Sequence, residues 1–192
     1  MSDRRMAAYA AEGAVWPRLA RLLPDPGDVD DVRACWDIGE QEAGLDVLVA
    51  RLRAQGLAIG DAERAELAAM AGQWGEGDRL GETIVALPRD PARPAPPRVL
   101  ADGAEEPLPV RSVLPDHPQE ELFLLPWIAC RSRDRVLARA HWWEEWGAWS
   151  HLTRAYVLFA AGRPVPPRLF PVEEEGAVWS ALVALRADAD RG

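Results

Sequence analysis

A chain of 192 residues, 48% of them hydrophobic, is long enough for one large domain or two small ones, with enough apolar content for a packed core. It carries 31 acidic and 22 basic residues, every basic one an arginine, for a formal net charge of −9. The imbalance lies in the first part: residues 1–78 hold 15 acids against 8 arginines, a surface without the positive charge that nucleic-acid phosphates require, and one that would steer a basic protein partner toward it.

Residues 3–22 read as a first helix with Ala7, Ala11, Val15, Leu19 and Leu22 along one side, kinked or divided by Pro17. A turn at 23–27 precedes a short helix from Val29 to Trp36, capped by Asp28 with Asp30 and Asp31 in its first turn. Leu45, Leu48, Val49 and Leu52 then recur at i, i+3, i+4 and i+7, the stripe of an amphipathic helix, which Gln55-Gly56 stops. Asp61 is placed to cap the next helix, with Leu67, Met70, Ala71 and Trp74 on its apolar face and Gly75 at its end. Two amphipathic faces so close in sequence should bury against each other, as a protein-binding scaffold does.

The order Ile38-Gly39-Glu40, Leu45-Asp46-Val47-Leu48-Val49, Leu52, Leu57-Ala58-Ile59 and Trp74-Gly75 resembles the small helical immunity proteins of bacterial polymorphic toxins. The Maf-type immunity family in particular has a GE-x-x-x-A-L-x-x-L helix followed by a short turn and a second helix. The resemblance covers about 40 of the 192 residues, and Gly44 stands where those proteins more often carry an alanine-like residue. It implies a non-enzymatic protein that binds and neutralises a cognate toxin.

Glu82–Leu87 is rich in β-branched residues and reads as a strand. Residues 88–98 hold five prolines in eleven positions and read as an extended linker on the order of 30 Å long. Beyond them the period changes. Val110–Leu114, Leu122–Ala129, Val136–Ala140 and Tyr156–Ala160 are short apolar runs of strand type, with Pro126 marking a sheet edge or a bulge. A proline turn at 164–167 leads to a brief strand, Arg168–Val172. Glu173, Glu174 and Glu175 then favour a helix start before Val178, Trp179, Leu182, Val183 and Leu185. The expected class is α+β: a helical domain at 1–78, a strand and Pro-rich linker at 79–98, and at 99–192 a small mixed sheet closed by a C-terminal helix.

The chemistry-bearing residues are few. On a helix His141 and Glu145 would share a face at i, i+4, with His151 approaching across the turn after Gly147, and their spacing matches no metalloprotease motif. Cys130 would need His141 or His151 as a base to act as a nucleophile, and no C-x-x-C pair accompanies it or Cys35. No phosphate-binding glycine loop or nucleophile elbow occurs. The expectation is therefore no catalytic residue, no metal and no cofactor. Apolar runs are too short to span a bilayer and no signal-peptide core stands at the start, so the cytoplasm is the expected compartment.

Two surfaces are candidates for a protein partner. Asp28, Asp30, Asp31, Asp37, Glu40, Glu42 and Asp46, with only Arg33 among them, form an acidic patch suited to a basic toxin domain. Their plain alternative is a solvated helix surface. The second candidate is Trp142, Trp143, Trp146 and Trp149, four of the chain's nine tryptophans within eight residues, which cannot all point one way. An adaptor binding through these tryptophans is the alternative function, and a metal- or thiol-dependent enzyme at His141, Glu145, His151 or Cys130 a weaker one. The sequence sets no oligomeric state.

Overall fold

The computed structural model describes residues 3–93, 97–130, 135–160 and 165–190, and the chain divides into two compact units, Met1–Ala95 and Pro96–Gly192. The first is all helical: α1 (Asp3–Ala20), α2 (Pro26–Asp37), α3 (Gln41–Ala54), α4 (Asp61–Gln73) and α5 (Gly77–Ala86). The second holds β1 (Arg98–Val99), β2 (Leu108–Pro109), a 3-10 turn at Val110–Ser112, β3 (Leu122–Cys130), β4 (Arg135–Trp142), β5 (Ala155–Ala160), β6 (Arg168–Pro171) and α6 (Ala177–Asp190).

In the helical unit α1 runs through Pro17 undivided, because Pro17 lies in its last turns and the adjoining Trp16, Leu19 and Ala20 are held in the core. The cap of α2 is Asp25 rather than Asp28; its carboxylate accepts the Asp28 N–H at 3.1 Å, and Pro26 occupies the first turn, where its missing N–H costs nothing. Likewise Gly60 caps α4, and Asp61 sits inside the first turn, paired with Arg89 at 3.0 Å. The expected stripe of α3 is wholly buried at Leu45, Leu48, Val49 and Leu52. Gly56 takes the left-handed conformation that ends α3, at φ +61°.

The expected strand at 82–87 is helix α5. Its β-branched residues obeyed a helical period: Leu80, Ile84 and Leu87, at i, i+4 and i+7, are buried. Arg64, buried on α4, closes that helix by donating to the carbonyls of Ile84, Val85 (3.1 Å) and Pro88 (3.2 Å). The start of the proline-rich segment is also part of this unit. Ile59 donates to the Pro88 carbonyl and accepts from Asp90 N–H, each at 3.0 Å, so residues 88–90 are pinned where a free linker was expected. The helical part therefore extends past residue 78; residues 94–96 of the expected linker lie outside the described residues.

In the second unit the sheet order is β1-β3-β4-β5-β6, with β2 pairing β3 as well, and every pairing is antiparallel, so the sheet is not mixed. Pro126 sits at a bulge, where the β3–β4 register shifts between Pro126 and Ile128. One sheet face carries Leu122, Leu124, Ala138, Ala140, Ala155, Val157 and Phe159, covered by Val110, Val113 and Leu114. Residues 110–114, expected as a strand, thus serve as a lid folded into a turn by Val113 and Leu114 N–H bonds to the Val110 carbonyl. Helix α6 packs against β3, β4, β5 and β6.

Candidate functional site

The acidic residues are set by α2 and the first turns of α3. Asp30 and Asp37 stand seven positions apart on one exposed stripe of α2, roughly 10 Å along its axis, with Asp31 beside Asp30. Glu40 and Glu42 are exposed at the start of α3, where the helix dipole favours negative charge. These five hold no ion pair among the described residues. Asp28 and Asp46 are different, and the expected seven-acid patch is reduced by them: Asp28 pairs with Arg51 at 3.2 Å and accepts from Gln55 at 3.0 Å, and Asp46 pairs with Arg79 at 2.7 Å. Hydrogen bonds that Arg79 donates to Asp46 and then to Glu76 hold the pKa of its guanidinium above the usual value. Among these acids in sequence stands an exposed apolar residue that was not a candidate contact. Ile38, in the connection between α2 and α3, is 72% exposed between Asp37 and Glu40.

Trp142 ends β4, and Trp143, Trp146 and Trp149 lie on the connection from β4 to β5, not on a helix. Strand alternation separates the neighbours Trp142 and Trp143. Trp142 packs against the covered sheet face and carries the Arg154 guanidinium 3.9 Å over its ring. Trp149 is half-buried, its ring 5.5 Å from Phe123 and 4.8 Å from Trp143, the two indoles in a T-shaped arrangement. Trp143 and Trp146 remain 54% and 68% exposed. Their loop is held at many points: Trp143 bridges Trp149, Glu144 N–H donates to Ala148 at 2.8 Å, and Ser150 N–H donates to Trp142 at 2.8 Å.

His141 is part of that scaffold. It is buried on β4, with Nδ1 2.6 Å from the Ser150 carbonyl and Nε2 3.2 Å from the Thr153 hydroxyl. A carbonyl only accepts, so Nδ1 donates to Ser150, and the Thr153 hydroxyl is the partner of Nε2. Because the segment is strand and turn, His141 and Glu145 share no helix face, and Glu145 projects at the exposed turn. Cys130 is buried at the opposite end of β3 from Phe123, the partner of His141, seven residues or roughly 23 Å along the strand. That separation leaves no Cys130–His141 pair. Residues 131–134, which follow Cys130, lie outside the described residues. Among the described residues no group of three or more His, Cys, Asp or Glu is placed to hold a metal ion, and no helix is long and apolar enough to cross a membrane.

No family model matches the chain, and neither a curated protein nor a solved structure matches it.

Proposed function

We propose that this chain is a non-enzymatic immunity protein that acts in the cytoplasm by binding and neutralising a basic toxin domain. The observation that carries the reading is the exposure of Asp30, Asp31, Asp37, Glu40 and Glu42 on α2 and at the start of α3, acids with no ion pair among the described residues, on a stretch of chain where the apolar Ile38 is open to solvent. Such a pairing suits a protein interface: the carboxylates steer and orient a cationic partner, and the aliphatic residue supplies contact area that releases water. The order of residues from Ile38 through Gly75, which resembles the Maf-type immunity pattern, supports the same reading.

The test is capture of the product of the adjacent gene at low and high salt. A basic domain should be held at low salt, and Asp30→Arg with Asp37→Arg should weaken binding by about tenfold or more while circular dichroism stays unchanged. Unchanged affinity in that variant removes these acids from the interface. An adaptor role through the tryptophan hairpin is the second reading, favoured by the exposure of Trp143 and Trp146.

A further inference from the structure

The β4–β5 connection presents three large apolar side chains to solvent within ten residues: Trp143, Trp146 and Leu152, the last 68% exposed. Isolated exposed apolar residues are ordinary; three on one short connection are not. Nor is the connection loose. The Trp143–Trp149 bridge, the Glu144–Ala148 and Ser150–Trp142 backbone bonds, the Ser150 hydroxyl accepting from Trp142 N–H at 3.1 Å and the His141 clamp fix its backbone before any partner arrives. A partner binding there meets a surface whose ordering cost is already met in folding.

Charge identifies the occupant. Glu144 and Glu145 stand between Trp143 and Trp146, and no arginine occurs from 143 through 153. The first one, Arg154, has its guanidinium over Trp142. Indole faces are negative at their centres and attract cations, guanidinium above all, since it is flat and weakly hydrated. Carboxylates beside them add to that attraction and repel phosphates. We infer that this hairpin is a docking site for an arginine-bearing segment of a partner protein, stacked on Trp143 and Trp146 with its charge met by Glu144 and Glu145. The inference concerns the second unit alone and does not rest on the toxin reading.

A fluorescence titration of the full chain tests it, using three peptides of equal length: alternating arginine and leucine, the same peptide with citrulline for arginine, and one with glutamate for arginine. Zwitterionic phosphatidylcholine vesicles form a fourth arm. The arginine peptide should bind in a salt-sensitive way, at least about tenfold tighter than its citrulline counterpart, with the glutamate peptide silent. Trp143→Ala with Trp146→Ala should lose about tenfold or more in affinity, Trp146→Ala alone a part of that, and Trp143→Phe with Trp146→Phe should restore some of it. Asp30→Asn with Asp37→Asn, in the helical unit, should leave this binding unchanged. Equal affinity for the arginine and citrulline peptides overturns the proposal, as does binding to vesicles in their place. Absence of binding by any peptide overturns it too, and so does arginine-peptide binding lost in the Asp30/Asp37 variant yet kept in the tryptophan variants. The toxin reading is overturned separately, if no basic domain is captured or if capture is unchanged by Asp30→Arg with Asp37→Arg.

Discussion

Gly44 shows how one missing methyl sets a helix packing. A Cβ there would lie 2.6 Å from Trp16 Cζ2 and 2.7 Å from Cys35 Cβ, well inside contact distance. Trp16 has no room to yield, being buried and tied by its indole N–H to the Val32 carbonyl at 2.9 Å, and Cys35 Cβ moves only if α2 moves. Gly44→Ala gains about 1 kcal/mol in helix propensity and should lose about 3 kcal/mol to overpacking. The expected net loss, about 2 kcal/mol, would appear as a lower urea midpoint; a gain in stability would show that α2 shifts freely. The alanine-like residue of the immunity pattern is thus excluded here by the indole of Trp16.

Tyr156 offers a second test at this scale. Buried between the Trp127 ring, at 5.8 Å, and the sheet, its phenol is pushed up to about 12 by desolvation, although Arg139 pulls it down. In the unfolded chain it titrates near 10, so between pH 10 and about 12 the folded state keeps a proton that the unfolded state has lost. Its contribution is therefore fully present below pH 10 and should fall by roughly 2–3 kcal/mol as pH rises toward 12. Denaturant melts at stepped pH should show this slope in the wild type and lack it in Tyr156→Phe.

At the scale of elements, helix α5 is the clearest case of tertiary structure overriding local propensity. Thr83, Ile84 and Val85 favour strands, but Leu80, Ile84 and Leu87 fall on the face that packs against α4. Arg64 then takes up the carbonyls at its end. Burial lowers the Arg64 pKa, an effect opposed by Asp61 and aided by Arg89, yet a guanidinium starts so high that it stays charged. Arg64→Met should leave the Ile84 and Val85 carbonyls without this donor and the Pro88 carbonyl with the Ile59 N–H alone, and cost about 2–4 kcal/mol, with Arg64→Lys recovering only part, because an ammonium lacks the planar fork. Chemical denaturation followed by far-ultraviolet circular dichroism measures both. The hairpin between β4 and β5 follows the opposite logic: its backbone bonds fix a loop whose largest side chains are left outside.

For the whole molecule, a formal charge of −9 has consequences for association more than for folding. Charge steering predicts that capture of a basic partner weakens as salt rises, most steeply for the wild type and less for the Asp30→Arg, Asp37→Arg variant. The division into two units decides how such results are read, since each candidate surface belongs to one unit.

Sequence alone determined the α+β class, the buried stripe of α3, the glycine-terminated helix ends and most of β3, β4 and β5, because these rest on local periodicity and backbone sterics that neighbouring residues already encode. It also indicated that the four clustered tryptophans, within eight residues, would not all point one way; Trp142 and Trp149 are half-buried and Trp143 and Trp146 exposed. Only the tertiary structure decided that residues 82–87 are helical, that 110–114 form a lid, and that Asp28 and Asp46 are paired while Ile38 is open. Each of those outcomes depends on a partner distant in sequence: Arg64 for α5, Val157 and its neighbours for the lid, Arg51 and Arg79 for the acids. Contacts of that kind leave no period in the chain.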